Sequence, residues 1–527
     1  MTRSKRFFLG LLSGYGSIAA NIVFTMASIP LALHYLDKEH FGLWALAAQI
    51  NGYLSLIDLG MSAAMSRYIA DHKDNVNGGD YGSHLLTGGL VFAIQGAVIA
   101  GVGVGFSWFA PQLFAIPPVL AGEFRGLLML LAGMTGFSVA VRSIGSPLWA
   151  FQRSDVVSNC STIGVLLSIA LLWFGFKSGW GVIGFAIAQF PALLGIPVVY
   201  AWICQRNGYY PAAARWGKPS LLIFKRIFHF GKDGLLINLG SQLTNASQIM
   251  IISRWVGLDA AATFAVSTKV YSMAMMVVGN PVAVSAPGLA ELYVRGELRR
   301  FVQRYWDLIA LILAASTLVA TGLVAGNRSF VSFWTHGTII WPWVGDLILA
   351  ILIVLRNLNG CFIGLFGLTG DWRPVRNIYL MEGLVFAPVA ILLAKPYGLV
   401  GVLMASLIAH LFVTTTLSAR AATRILGSLG RVGKGLVASL GLLAVAGAVG
   451  WAGAHASVNP IAMLAVTACL SLLALMAIWH LILPEPIRIE IRSRIGTTTI
   501  RLKSRFGGWS KRPPHNHSRD NAPINSK

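Results

Sequence analysis

Residues 41–71 read FGLWALAAQINGYLSLIDLGMSAAMSRYIAD, an apolar stretch that is long enough to cross a bilayer. About 20 residues at ~1.5 Å each cover the ~30 Å hydrocarbon core. The stretch nevertheless carries Gln49, Asn51 and Asp58, whose polar groups lipid tails cannot solvate. We therefore expect a membrane helix that holds polar groups at membrane depth.

The layout of this stretch returns 220 positions later, without a gap, in residues 264–291, FAVSTKVYSMAMMVVGNPVAVSAPGLAE. Other parts of the chain repeat at nearly the same offset, 217 to 220 positions. The aligned pairs include Trp44 with Phe264, Gln49 with Lys269, Gly60 with Asn280, Asn159 with Asn377, Gly181 with Gly398, and Gly184 with Gly401. The sequence therefore predicts two copies of one helical unit.

The composition indicates many membrane spans. Of the 527 residues, 56% are hydrophobic and only 11% are charged, and the mean hydropathy is +0.69. Soluble globular proteins contain about 25% charged residues. The net charge of +22 suggests a nucleic-acid partner, but the Lys and Arg residues lie in short runs between apolar segments, as the positive-inside rule predicts. We therefore expect no nucleic-acid binding.

Fourteen apolar segments divide the chain, with short loops between them. They lie at residues 10–36, 41–70, 84–109, 125–151, 156–176, 180–203, 228–256, 260–290, 304–326, 341–368, 374–394, 398–419, 433–453 and 461–483. Their length predicts an all-α membrane protein with about 14 transmembrane helices, and the short loops make neighbouring helices antiparallel. We expect the basic and apolar N-terminal segment to be a retained first helix, with a cleaved signal peptide as the competing interpretation.

Basic residues orient these helices. They follow every even-numbered segment, whereas the alternate loops carry few. Examples after even-numbered segments are Arg67, Lys73, Arg153, Arg206, Arg295, Arg299, Arg373, Arg376, Arg420 and Arg424. The pattern predicts that both termini lie in the cytoplasm.

Five regions follow from the repeat and the link composition. Helices 1–6 and 7–12 form two six-helix lobes in the same orientation, an arrangement that secondary transporters use with the binding site between the halves. The expected regions are an N-lobe at 1–203, a cytoplasmic link at 204–227, a C-lobe at 228–425, accessory helices 13 and 14 at 426–484, and a basic cytoplasmic tail at 485–527.

Three cations are placed deep in predicted helices. Arg142, Lys269 and Arg356 come from both lobes, and Lys269 lies about nine residues, or ~14 Å, inside its helix. A deep charge costs at least ~2.5–3.5 kcal/mol on insertion scales. One interpretation is that each cation pairs with an acid or snorkels. The second is that the three cations together form a positive cavity that binds an anionic ligand. We predict the second, with these residues binding the substrate's diphosphate in the family picture given below.

Asp58 and Glu382 are the only acids predicted at similar depth. Each is a candidate coupling-ion site for a proton or Na⁺, or else a salt-bridge partner of a deep cation. We expect His410 and His480 to be structural, and Asp346, near a helix end, to be solvated. The sequence contains no Walker motif and no long outer loop. It therefore predicts no enzyme activity, no catalytic residue, no cofactor and no metal site.

The block FGLWAL…YLSLIDLGMSAAMSRYIA resembles the polysaccharide flippases (Wzx-like O-antigen and exopolysaccharide transporters). These belong to the multidrug/oligosaccharidyl-lipid/polysaccharide exporter superfamily, and the resemblance covers residues 1–425. It implies a V-shaped pair of lobes that alternates between inward- and outward-open states. The implied activity is the flipping of undecaprenyl-diphosphate-linked oligosaccharides across the bacterial inner membrane, for surface polysaccharide or O-antigen (lipopolysaccharide) export.

The resemblance also implies partners. These are the lipid-linked oligosaccharide, membrane lipids, an H⁺ or Na⁺ counter-ion, and the polymerase and export machinery of the same pathway. Two alternatives stay open at this point. The first is a cation-coupled multidrug antiporter of the same fold, and the second is a membrane enzyme of glycan assembly.

Overall fold

The computed structural model describes residues 3–58, 61–369, 372–456 and 459–493. Within these ranges the chain is helical and contains no β-strand. Every backbone polar group in a bilayer needs an internal partner, which a helix supplies along its own length. The predicted all-α class is confirmed.

Nine α-helices make up the first half of the chain. They are α1 (Arg3–Tyr35), α2 (Lys38–Leu54), α3 (Met61–His72), α4 (Asp80–Leu113), α5 (Pro118–Ala140), α6 (Ser146–Ala150), α7 (Ser154–Lys177), α8 (Ile183–Ile187) and α9 (Ile196–Arg206).

Nine more helices follow in the second half. They are α10 (Leu221–Trp255), α11 (Leu258–Ser267), α12 (Lys269–Val294), α13 (Leu298–Trp334), α14 (Trp343–Thr369), α15 (Arg373–Ala409), α16 (Thr416–Leu426), α17 (Gly430–His455) and α18 (Pro460–Leu481).

Eleven helical stretches in the described part of the chain are long and apolar enough to span a membrane. The chain is therefore a multi-pass membrane protein. The longest stretch, Arg373–Leu426, has 54 residues and includes Gly398, whose φ of +55° breaks the helical path. It covers two of the predicted segments. The count of fourteen crossings and the five region boundaries stay predictions.

The two halves repeat their helix pairing. In the first half α1 packs on α7 and α4 on α5, and in the second half α10 packs on α15 and α13 on α14. Gly181 and Gly398, which the repeat aligns, have φ values of +56° and +55°. Only glycine adopts this left-handed conformation at little cost. A π-helical segment also follows at a similar place in each half, at Pro191–Gly195 and at His410–Thr415.

The last two helices, α17 and α18, pack against α13. After them, residues 485–493 form a short helix whose Ile487 is buried in the main core. Arg304 of α13 lies 3.5 Å from Glu490 of this helix. The described start of the tail is therefore docked against the second half of the chain.

Contacts between the halves run along α2. Near its first turn, Gly42 lies so close to Leu258 of α11 that a Cβ atom on Gly42 would be 2.1 Å from the Leu258 carbonyl oxygen. Just before the end of α2, the carbonyl of Gly52 accepts a hydrogen bond from the Gln242 side chain of α10 (3.2 Å). The neighbouring Tyr53 hydroxyl donates to the carbonyl of Gln242 (2.9 Å). Between these two contacts, one face of α2 lines a cavity with Trp44, Ala45, Ala48, Gln49 and Asn51.

Candidate functional site

A cavity of about 550 Å³ lies between the two halves of the chain. Its walls come from α1, α2 and α5 and the α8 region on one side, and from α10, α11, α12, α14 and α15 on the other. Mid-depth cavities between repeated halves are where secondary transporters bind substrate. This cavity is the candidate substrate site.

The repeat builds the cavity symmetrically. Positions 220 apart line it in pairs, which places it where the two copies face each other. The pairs are Thr25 with Asn245, Ser28 with Gln248, Ile29 with Ile249, Trp44 with Phe264, Gln49 with Lys269, and Asn51 with Tyr271. Gln49 and Asn51, two of the polar residues that make the stretch 41–71 unusual for a membrane helix, therefore line a cavity.

Lys269 and Arg356 both line the cavity. Lys269 is the first residue of α12, at the break after α11. Arg356 lies in the middle of α14 and is anchored by two hydrogen bonds. Its Nη1 donates to Oδ1 of Asn245 (3.1 Å), and its Nη2 donates to Oγ of Ser406 (3.0 Å).

The charge of the cavity is positive. None of the described residues that line it is Asp or Glu. The Tyr271 hydroxyl is buried beside the Arg356 guanidinium, and both side chains line the cavity. The cavity therefore presents two cations and a phenol hydroxyl, and charged hydrogen-bond donors of this kind bind anions.

Arg142 lies elsewhere. It is exposed, in a 3₁₀ segment that follows α5, and it does not line the cavity. The helix rise explains the separation. Since α5 begins at Pro118 instead of near residue 125, Arg142 lies about 36 Å along its helix from that end. Lys269 and Arg356 lie only about 16 and 20 Å from the corresponding ends of α11 and α14.

Glu382 lies in a second, smaller cavity of about 200 Å³, which shares Arg356 and Asn245 with the first. Glu382 is only 3% exposed. Its carboxylate accepts hydrogen bonds from Nδ1 of His410 (3.0 Å) and from the hydroxyl of Thr414 (2.7 Å). On the far side of the imidazole, Asn359 Nδ2 donates to Nε2 of His410 (2.9 Å). This pattern fits a neutral imidazole that carries its proton on Nδ1.

Sequence reasoning missed several residues of these cavities. The sequence does not single out Asn245 and Ser406 as site residues, because single polar residues in apolar helices are common. Only the fold brings these two residues to Arg356. The prediction that Asp346 is solvated is wrong. Asp346 is 1% exposed and accepts hydrogen bonds from Asn327 (2.6 Å) and Trp341 (2.8 Å). The side chain of Asp58 is outside the described part of the structure.

The comparisons with known proteins agree with this architecture. A family model described as polysaccharide biosynthesis protein matches residues 8–293, more than half of the chain. The chain belongs to the polysaccharide biosynthesis protein family. The predicted family resemblance is confirmed. No curated protein sequence matches the chain.

Solved structures of transporters share the fold. An inward-facing multidrug resistance MATE family transporter of the MOP superfamily is 15% identical, with 78% of this chain and 94% of that chain covered and a TM-score of 0.63. The lipid II flippase MurJ, in an inward closed conformation, is 11% identical over 87% and 97% of the two chains, with a TM-score of 0.63.

A third similar structure is a MOP superfamily transporter from Pyrococcus furiosus, 14% identical over 80% and 95% of the two chains, with a TM-score of 0.58. At these identities the likeness shows the fold alone. The chain therefore combines membership of the polysaccharide biosynthesis protein family with a fold that it shares with these transporters and this flippase.

Proposed function

We propose that the protein flips an undecaprenyl-diphosphate-linked oligosaccharide across the bacterial inner membrane, from the inner to the outer leaflet, by alternating access. The observation that carries this proposal is the inter-lobe cavity that holds Lys269 and Arg356 and no acid among its described lining residues. Lys269 and Arg356 bind the diphosphate, whose oxygens accept charge-assisted hydrogen bonds from both cations. Both termini lie in the cytoplasm, and the polymerase and export machinery receive the product.

The charge of the cavity favours this substrate over an organic cation. A cationic drug in this cavity would meet Lys269 and Arg356, whereas no carboxylate stands among the described residues that line it and Glu382 lies in the neighbouring cavity. A diphosphate instead supplies the charge that the cavity lacks. The multidrug antiporter alternative is therefore the weaker proposal.

Arg142 has a different role in this proposal. Since Arg142 is exposed and does not line the cavity, it meets the diphosphate before the substrate reaches Lys269 and Arg356. Arg142→Ala is therefore expected to reduce transport less than Lys269→Ala.

We infer that Glu382, together with His410, is the coupling-ion site, and that a proton is the coupling ion. Both groups line the cavity next to the proposed diphosphate site, and Arg356 lines both of these cavities. Proton uptake by Glu382 changes the field at Arg356 and hence its hold on the diphosphate. Asp58 is the second candidate, on its position beside Gly60 in the sequence. If transport by Glu382→Gln depends on pH and Na⁺ as transport by the wild type does, Glu382 is not the coupling-ion site. The same result in Asp58→Asn would exclude Asp58 as the coupling-ion site.

The proposed function is tested in cells that lack the protein. We expect lipid-linked oligosaccharide to accumulate in the inner leaflet and surface polysaccharide to disappear. The wild-type gene restores export, whereas Lys269→Ala does not, although the variant inserts normally. Unchanged surface polysaccharide in the deletion strain would refute the proposal.

A further inference from the structure

The two lobes line the cavity with different side chains. The second lobe contributes the cations Lys269 and Arg356, and the first lobe contributes no charged side chain among the described lining residues. It presents the aromatic ring of Trp44 and the carboxamides of Gln49, Asn51 and Gln189. The diphosphate site proposed above uses none of these groups. Their arrangement matches a ligand that has apolar ring faces and hydroxyl groups.

The Trp44 ring is held rigidly by other aromatic rings. It stacks on Phe185, with ring centroids 4.6 Å apart and an interplanar angle of 7°. Phe185 is in turn fixed edge-on by Phe41 at 6.1 Å and by Phe176 at 5.4 Å. Because Trp44 also lines the cavity and is only half-buried, it presents a preorganised flat apolar surface to a ligand.

The carboxamides provide a matching polar set. Asn51 Oδ1 is buried and has no hydrogen-bond partner among the described residues. This oxygen needs a donor, which a phosphate oxygen cannot supply and a hydroxyl group can. A carboxamide both donates and accepts, so Gln49 and Asn51 suit the hydroxyls of a sugar.

The repeat makes the contrast between the two halves sharper. Gln49 and Lys269 occupy equivalent positions of the two copies, and so do Asn51 and Tyr271; all four line the cavity. At these two positions the first lobe presents neutral carboxamides, and the second lobe presents a cation and a phenol hydroxyl. Asn245 and Gln248 add carboxamides from the second lobe, so the charge, and not the carboxamides, distinguishes the two halves. A ligand with an uncharged polar end and an anionic end fits this division.

We propose that the first-lobe half of the cavity is a sugar subsite. Trp44 packs against the ring of the sugar next to the diphosphate, and Gln49 and Asn51 bind its hydroxyls. The subsite takes a neutral or N-acetylated sugar, because the described lining has no carboxylate to pair with a cationic amino sugar. This inference rests on the proposed function, which places the diphosphate at Lys269 and Arg356.

Binding to the full-length protein in lipid nanodiscs tests the subsite. The probes are undecaprenyl diphosphate without a sugar, and the same lipid carrying N-acetylglucosamine or glucosamine. We expect the wild-type protein to bind the N-acetylglucosamine lipid about tenfold more tightly than the bare lipid, the effect of about 1.4 kcal/mol. The glucosamine lipid gains no such preference.

The variants separate the two claims. Trp44→Ala and Gln49→Ala should remove the preference for the N-acetylglucosamine lipid over the bare lipid, because they weaken binding of the sugar-bearing lipid far more than binding of the bare lipid. Trp44→Phe should retain part of the preference. Trp173→Ala is the matched control, since Trp173 is half-exposed on α7 outside the cavity. Lys269→Ala should weaken all three probes equally.

Three results would each overturn one claim. A sugar preference that survives in both Trp44→Ala and Gln49→Ala refutes the sugar subsite and leaves the diphosphate site standing. Unchanged binding of the bare lipid in Lys269→Ala and Arg356→Ala refutes the proposed diphosphate site. A wild-type protein that binds the bare lipid and the N-acetylglucosamine lipid equally also refutes the subsite.

Discussion

Arg356 illustrates how a single residue serves two cavities in this protein. Its guanidinium uses Nη1 and Nη2 to reach α10 and α15, through Asn245 and Ser406, and it lies beside the Tyr271 hydroxyl of α12. These contacts fix the plane of the guanidinium, so that its orientation does not have to be ordered when substrate binds. Lysine has the charge but not the planar array of donors.

Arg356→Lys is therefore expected to insert and fold but to transport about tenfold more slowly, because about one charge-assisted hydrogen bond is lost. Arg356→Ala is expected to abolish transport. The rate of flipping in proteoliposomes measures both. Wild-type rates in Arg356→Lys would show that charge alone matters, and wild-type rates in Arg356→Ala would remove Arg356 from the site.

Glu382 is expected to matter for stability as well. In Glu382→Ala, His410 and Thr414 lose a buried hydrogen-bond partner, at about 1–3 kcal/mol for each unsatisfied group. The thermal unfolding midpoint in detergent should fall clearly. Glu291→Ala is the control, because Glu291 pairs with Arg295 at an exposed surface, where ion pairs contribute little. Equal midpoints in the two variants would contradict the buried network.

Sequence reasoning located the residues of the site in part. The depth and charge of Lys269 and Arg356 selected two residues that line one cavity. The same argument also selected Arg142, because depth counted from an apolar segment depends on where the helix begins. The sequence predicts a structural role for His410. It does not predict the contact with Glu382, because the residue pattern of one helix carries no information about which side chains reach it from another helix.

At the scale of elements, α2 is the helix along which the two halves touch. Gly42 lets its first turn approach the backbone of α11, and Tyr53, near its other end, bonds to α10. The cavity residues Trp44 and Gln49 lie between these contacts. A rocking of the lobes has to open one contact or the other, which makes α2 the element that links gating with the substrate site.

Gly42→Ala is expected to push the outer ends of α2 and α11 apart, because the added Cβ would overlap the Leu258 carbonyl. Spin labels on cysteines at Glu39 and Asp259, both exposed, report this distance by pulsed electron spin resonance. The distance distribution should shift to longer values and transport should slow. Gly16→Ala is the control, since a Cβ there meets nothing within 4 Å. Identical distributions in the two variants would contradict a close contact at Gly42.

The elements themselves were largely predictable, because apolar runs of membrane length leave the backbone little choice but helix. The repeat also predicted the paired glycines Gly181 and Gly398, which share a positive φ. Breaks inside the helices were not predictable. The interruption at Ser55–Asp58 and the π segment at His410–Thr415 occur within continuous apolar sequence and depend on packing between helices.

For the whole molecule, the basic residues that follow the even-numbered segments predict a single orientation in the membrane. A reporter fused after Asp80 or within residues 207–218 is expected to behave as cytoplasmic, and one near Pro117 as periplasmic. Alkaline phosphatase and green fluorescent protein fusions measure this directly. The inverse pattern would reverse the orientation and the proposed direction of transport.

The central claim is that the cations between the lobes carry the diphosphate across the membrane. The most direct measurement is the flipping of a fluorescent undecaprenyl-diphosphate-linked sugar by the purified protein in proteoliposomes, with the double variant Lys269→Ala and Arg356→Ala beside the wild type. We predict flipping by the wild-type protein and a rate at the protein-free background for the double variant, which binds no diphosphate. Flipping by the double variant at the wild-type rate would contradict the claim.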